Sequence, residues 1–200
     1  MKYKELVIGI DQSYNNTGIS IVADGNILLV TSIWLNKLKT NTEKRNMLRD
    51  KLKSIAQQAK NKSNNVYCIV ERIRLRSQGF LNIDYIKSIG ALNAIIIDVM
   101  AEFNIPVFSV DTRCWKSQVI GTSKPKENKY GVPPEKFPTV EFVIKKGFEN
   151  SILIPVEGRK TKGTFTHNGI KYMYNNDASD ACGIAMFWFV GTHEKLQKEK

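Results

Sequence analysis

Four acidic residues stand where acids are rarely placed without a purpose. Asp11 closes the apolar run LVIGID, and Glu71 closes a second one, VYCIVE. Asp177 and Asp180 lie three apart in NDASDACGIA, so on a helix they project from one face. Ionised carboxylates are rarely buried unless paired, hydrogen-bonded or bound to metal. Each also has an ordinary explanation. Asp11 can cap the turn at residues 15–18 through its own backbone, as Asx residues do, and an Asp in a first helical turn suits the helix dipole. Capping needs only one Asp, however, and the small Ala, Ser, Ala and Cys around the pair permit close packing. If the helix lies across the ends of the two strands, four carboxylates repel one another unless cations lie between them. Hard oxygen donors suit Mg2+ or Mn2+. Two such ions, roughly 3.5 to 4 Å apart, clamp the attacking and leaving oxygens of a phosphodiester.

The overall charge is of the opposite sign. Thirty Lys and Arg against 19 Asp and Glu in 200 residues give a formal +11 and a pI near 9.5. Such an excess points to a polyanionic partner. The basic residues are spread through turns and inserts rather than along one amphipathic helix, which favours nucleic acid over a membrane surface. Arg72, Arg74 and Arg76 follow Glu71 and alternate with Ile73 and Leu75, a pattern that also fits an exposed strand face. Lys124, Lys126 and Lys129 fall in residues 122–138, which are rich in Lys, Pro and Gly and read as a basic loop. Arg159, Lys160 and Lys162 fall in residues 148–175, where Phe165, His167 and Tyr172 alternate with polar neighbours. That alternation predicts a basic hairpin, either a binding arm or a solvated excursion. No apolar run reaches transmembrane length and MKYKELVIG is too short for a signal peptide, so bacterial or infected-host cytoplasm is the expected location. Cys68, Cys114 and Cys182 are too widely spaced for a disulfide framework or zinc pairs, and His167 and His193 do not alter that.

The elements that must position the acids can be read in order. Leu6–Asp11 is a strand; residues 18–22 and 27–34 are two more, joined by the hairpin signal Asp24-Gly25-Asn26. Thr40 and Glu43 have capping-box spacing, and Leu48, Leu52, Ile55 and Ala59 recur at helical intervals. A helix crossing over there lets the strand at 66–70 return parallel to the first, bringing Asp11 and Glu71 side by side. Residues 82–103 form a long helix, very apolar from Ala91 to Met100. Gly90, Ala91 and Ala94 offer close approach to another backbone, which points to a homodimer. A short strand at 106–110, a brief helix at 112–120 and another at 139–146 follow. One domain is expected over residues 1–200, with basic inserts at about 122–138 and 148–175.

The succession of strand-Asp, hairpin, helix, strand-Glu, long helix and closing D-x-x-D helix resembles the ribonuclease H-like superfamily, specifically the RuvC-type Holliday junction resolvases. IGIDQSYNNTGISIV is similar to the family's first motif, IVERIRL to its second and NDASDACGIA to its closing motif. IGALNAIII resembles the dimer helix, and WKSQVIG the Lys-bearing segment. The resemblance implies an α/β fold: a mixed five-stranded sheet with an N-terminal antiparallel meander and helices on both faces. It implies that Asp11, Glu71, Asp177 and Asp180 hold two Mg2+ ions, with Mn2+ able to substitute, and that Lys116 meets DNA phosphate. The implied activity is resolution of four-way DNA junctions by a homodimer, through paired hydrolytic nicks that leave 5′-phosphate and 3′-hydroxyl ends. Phe80 is either the aromatic wedge that opens the junction or an ordinary core residue. The long basic inserts point to a divergent phage or viral member. A less selective branched-DNA or flap nuclease of the same fold and a catalytically inactive junction-binding protein are the alternatives.

Overall fold

The structure is a computed structural model, and it describes residues 2–73, 83–121, 136–156, 164–167 and 169–199. Strands β1 (Leu6–Asp11), β2 (Asn16–Ala23) and β3 (Asn26–Trp34) form an antiparallel meander. Asp24 and Gly25, both at positive φ (49° and 79°), make the two-residue turn that suits the twist of the strands it joins. Helix α1 (Asn41–Lys62) begins at the expected capping box, with the Thr40 hydroxyl accepting from the Glu43 amide and the Glu43 carboxylate accepting from the Thr40 amide. This helix is the crossover that lets β4 (Val66–Glu71) run parallel to β1. Helix α2 (Ile83–Glu102) leads to β5 (Val107–Val110), parallel to β4.

Asp111 caps the short helix α3 (Thr112–Trp115), which passes into a π-helical turn, Lys116–Ile120, and stops at Gly121 with φ 82°. Then come α4 (Phe137–Lys145), α5 (Glu149–Ile152), β6 (Leu153–Pro155), β7 (Phe165–His167), β8 (Ile170–Tyr174), α6 (Asn176–Val190) and β9 (Gln197–Lys198). The main sheet runs β3-β2-β1-β4-β5-β9, and β6-β8-β7 form a small second sheet. The expected five strands therefore gain a sixth. Gln197 and Lys198 carry no strand pattern; only their backbones recruit them, antiparallel to Ser109 and Phe108. The expected hairpin is the β7–β8 pair, whose Phe165 stacks on Tyr174 with ring centroids 4.8 Å apart.

Period-two alternation divides the core between the sheet's two faces. Leu6, Ile8 and Ile10 join Cys68 and Val70 against α1 and α2. Val7, Val22, Val30 and Ile69 pack with α4, α6 and Trp115. In α1 Leu48, Leu52 and Ala59 are buried as expected, but it is Ala56 and not Ile55 that joins them, with Ile55 half-buried beside it. Helix α2 is not apolar all round: Ile89, Leu92, Ile95, Ile96, Val99 and Met100 are buried, while Lys87, Gly90, Ala94 and Asp98 are exposed. Arg49 reaches Asp98 (3.8 Å) and Glu102 (3.6 Å), and Lys53 reaches Glu102 (2.8 Å), lacing α1 to α2 at the surface. Among the described residues, no helix is long and apolar enough to cross a membrane.

Candidate active site

The alternation that sends Ile10 and Val70 to the α1–α2 face sends Asp11 and Glu71 to the α6 face. Ile10 pairs with Val70 across the parallel ladder, so the two acids that follow leave adjacent strands side by side. Glycines then let α6 come down on the same edge. A Cβ on Gly9 would collide with the Ala181 carbonyl and the Ala185 side chain, and one on Gly18 with the Asp177 carbonyl. Gly183 gives room in the same way to the ring of Trp115, which is completely buried and anchors the segment carrying Lys116. This close packing brings Asp180 to 1% exposure and leaves Asp177 half-buried, with both carboxylates acting electrostatically on Asp11.

Glu71, Asp177 and Asp180 each have a partner that holds them. The Thr112 hydroxyl donates to the Glu71 carboxylate, and the Gln12 amide donates to the Glu71 carbonyl (2.7 Å). Asn16 donates to Asp177 (2.9 Å) and to the side chain of Asn175 (3.0 Å). Asn175 in turn caps α6 through the Ala178 amide and reaches Ser32. The Lys136 ammonium forms an ion pair with Asp180, and Lys116 stands 4.0 Å from the other oxygen of that carboxylate.

The electrostatics show the strain of gathering these charges. Burial, then the charges of Asp180, Glu71 and Asp177, push the Asp11 carboxyl well above its ordinary range. Burial and then Asp180 raise Glu71, and burial raises Asp177. For Lys136, burial alone pulls downward, but Asp180, Asp11 and Asp177 together outweigh it and the net shift is upward.

The sequence-predicted residues thus fall into two groups. Asp11, Glu71, Asp177 and Asp180 meet at one edge, with Lys116 beside them. Arg72 follows Glu71 directly; it is half-buried, and its backbone amide donates to Val110. Arg74, Arg76, Phe80, Lys124, Lys126, Lys129, Arg159, Lys160 and Lys162 lie outside the described residues. Sequence reasoning missed Lys136, Thr112, Asn16 and Asn175. Lys136 does carry a faint signal, as the last cation before Phe137-Pro138, where a Pro in the first turn starts a helix.

The donor set fits a divalent cation. It consists of hard carboxylate oxygens, three of the carboxyls are raised by burial and by the charge of Asp180, and Asp180 Oδ1 is buried with no hydrogen-bond partner among the described residues. As placed, no three His, Cys, Asp or Glu side chains among the described residues are gathered closely enough to share one ion. The positive charge at the cluster is that of Lys136, ion-paired with Asp180, and of Lys116, 4.0 Å from the other oxygen of that carboxylate.

No protein-family model and no curated protein sequence matches the chain. Solved structures do. Thermus thermophilus RuvC in complex with Holliday junction substrate aligns over 98% of this chain and 99% of its own, with TM-score 0.62 and 12% identity. A second Thermus thermophilus RuvC structure covers 97% and 99%, with TM-score 0.59 and 14% identity. The chain has the RuvC fold. The ribonuclease H-like α/β architecture expected from the order of motifs is therefore the one observed, with β9 added at the edge. At this identity the likeness to RuvC is one of backbone.

Proposed function

We propose that the protein is a divalent-metal-dependent, structure-selective endonuclease that resolves four-way DNA junctions as a homodimer, by paired nicks leaving 5′-phosphate and 3′-hydroxyl ends. The observation that carries this reading is the meeting of Asp11, Glu71, Asp177 and Asp180 at one edge of the sheet in a chain of net charge +11. The RuvC fold supports it, and so does the solved complex of that Thermus protein with Holliday junction substrate.

In this reading the four acids hold Mg2+, with Mn2+ as a substitute. When bound, the metal supplies Lewis-acid activation of water and neutralises charge on the scissile phosphate. The chain's own residues set the stage. Thr112 and Gln12 hold Glu71 at the strand end, and Asn16 and Asn175 fix the register of Asp177. Lys116 and Lys136 counter the acids before DNA arrives and meet its phosphates afterwards. The wholly buried Trp115 keeps the Lys116 segment fixed, so that positioning costs little on binding.

The test uses synthetic four-way junction, Y-fork and linear duplex, each with and without Mg2+. Symmetric paired nicks in the junction, only with Mg2+, support the proposal. Cutting of the Y-fork at a comparable rate makes the protein a general flap nuclease, and binding without cutting makes it a junction-binding protein. Glu71→Gln, Asp11→Asn and Asp180→Asn should each fold and lose about a hundredfold to a thousandfold in rate. An acid whose variant folds and cuts like the parent has no part in the chemistry.

A further inference from the structure

In the sheet order β3 lies on one side of β1 and β4, which carry Asp11 and Glu71, and β5, which leads to the Lys116 segment, lies on the other. Trp34 ends β3 and is 41% exposed, more than any other Trp, Tyr or Phe whose burial is described. Trp34 pairs with Asn16 across the β2–β3 ladder, and directly opposed residues share a face. Asn16 spends its side-chain amide on Asn175 and Asp177, so the indole stands on the α6 face, where Asp11, Glu71, Asp177 and Asp180 also lie. Ser32, two residues earlier, accepts from Asn175 and confirms the phase of the strand. Trp34 is two strands from Asp11, roughly 10 Å across the sheet.

The residues after Trp34 are built as a firm turn. The Leu35 and Asn36 amides both donate to the carbonyl of Asn15, in the loop that follows Asp11 (2.9 and 3.0 Å). Leu35 is fully buried and Leu38 packs against the core. These anchors leave Trp34, Asn36, Lys37 and Lys39 exposed in a stretch with no acid. Beneath it, the Lys44 ammonium lies 4.2 Å from the centre of the Tyr14 ring and braces the same loop. An exposed indole followed three and five residues later by exposed lysines, next to a phosphate-processing edge, has the parts of a single-strand binding platform: a ring to stack a base and cations for the backbone.

We infer that Trp34, Lys37 and Lys39 form a second DNA-contact surface, on which Trp34 stacks against an unpaired base of the strand running through the site and the two lysines hold its phosphates. This rests on the nuclease reading above and adds the strand's path across β2 and β3. A solvent-exposed indole on a pre-ordered turn loses little entropy on stacking, and every base offers a π face, so the platform selects unpaired nucleotides rather than a sequence.

The experiment measures binding of a synthetic four-way junction and of oligothymidylate, by fluorescence anisotropy without divalent metal, for the parent, Trp34→Ala, Trp34→Phe and the double variant Lys37→Ala/Lys39→Ala. Trp34→Ala should bind both DNAs about tenfold to a hundredfold more weakly. Trp34→Phe should recover most of that loss, and all melting temperatures should stay at the parent's. The lysine variant should lower the log-log salt slope by about 0.9 for each phosphate it no longer neutralises. Oligothymidylate should quench the parent's tryptophan emission more than that of Trp34→Phe. Parent-like binding by Trp34→Ala overturns the inference, as does a change in self-association in place of DNA affinity. If the parent itself binds no branched DNA, the nuclease reading fails instead, so the two failures are distinguishable.

Discussion

Gly18 of β2 and Asp177 of α6 meet backbone to backbone, with no room between them for a methyl group. This close approach sets the height at which the acidic turn of α6 sits over the ends of β1 and β4. Gly18→Ala would drive a Cβ into the Asp177 carbonyl, a backbone group that cannot swing aside as a flexible side chain could. Over-packing of this kind costs about 1–3 kcal/mol. The expected result is a lowered denaturation midpoint together with a loss of cleavage larger than the loss of stability explains. A variant with parent-like stability and activity would show that α6 is free to shift without cost to the site.

Lys136 should act as a resident counter-cation for Asp180. Removing it leaves a carboxylate at 1% exposure with Lys116, at 4.0 Å, as the cation remaining beside it. Breaking a buried ion pair from one side costs several kcal/mol, and the partial exposure of Lys136 reduces that to about 1–3 kcal/mol. Lys136→Met should therefore melt lower than the parent in the presence of a chelator. Because the variant's cluster is more negative, Mg2+ should restore its melting temperature at a lower concentration than it needs to stabilise the parent. Identical melting curves for the two proteins, with and without Mg2+, would remove Lys136 from the electrostatics of the cluster.

The exposed stripe of α2 bears on the proposed homodimer. Gly90 and Ala94 face outward, and a Cβ on Gly90 would meet nothing within 4 Å. Because Ala94 is exposed, Ala94→Glu should leave the fold intact, within about 0.5 kcal/mol. Sedimentation equilibrium should then find the parent as a dimer and the variant as a monomer that keeps the parent's circular dichroism. A parent that sediments as a monomer at every concentration, with and without junction DNA, would end the paired-nick scheme and favour a flap nuclease.

Much of the fold was legible because local chemistry and global topology agree. Thr40 and Glu43 announce α1, Asp24-Gly25 announces the hairpin, and a crossover of that length makes β1 and β4 parallel. The strand-end acids could be read for a related reason, since a carboxylate closing an apolar run is visible without coordinates. What could not be read depends on residues distant in sequence. Lys136 reaches Asp180 across 44 residues from a stretch with no periodicity, and Thr112 reaches Glu71 across 41. Gly9, Gly18 and Gly183 look like ordinary glycines until α6 and Trp115 are laid against them. For β9, only the backbone pairs, so its side chains carry no strand pattern.

Lys116 offers a narrower test of the DNA surface. Its ammonium lies near Asp180 and 5.2 Å from the centre of the Trp115 ring, so it is held beside the cluster and not loose in solvent. Lys116→Ala should weaken junction binding and reduce the log-log salt slope by about 0.9 if it meets one phosphate. An unchanged slope would take Lys116 off the DNA surface.

The raised carboxyls make stability depend on pH in opposite senses with and without metal. Asp11, Glu71 and Asp177 are all raised above their ordinary range, through burial first, with the charge of Asp180 adding to each. The folded chain therefore holds protons that the unfolded chain releases. The corresponding stability is fully present below the unfolded carboxylate pKa of about 4, and it is lost as pH rises through the raised values. In a chelator, the cluster should thus cost the parent increasing stability as pH climbs above that range. Other carboxylates add their own dependence, and in a chain of net charge +11 acid also builds up repulsion, so the comparison must isolate the cluster. Asp11→Asn does this. It should melt higher than the parent near neutral pH without metal, and the gap should close as the buffer is made acidic. In excess Mg2+ the order should reverse, because a bound cation needs the ionised carboxylates and its stabilisation grows with rising pH. Thermal melts of both proteins from about pH 5 to about pH 8, with chelator and with Mg2+, check both signs. If the parent outlasts Asp11→Asn at neutral pH in chelator, the repulsion is already neutralised within the chain, with Lys136 the leading source of that compensation.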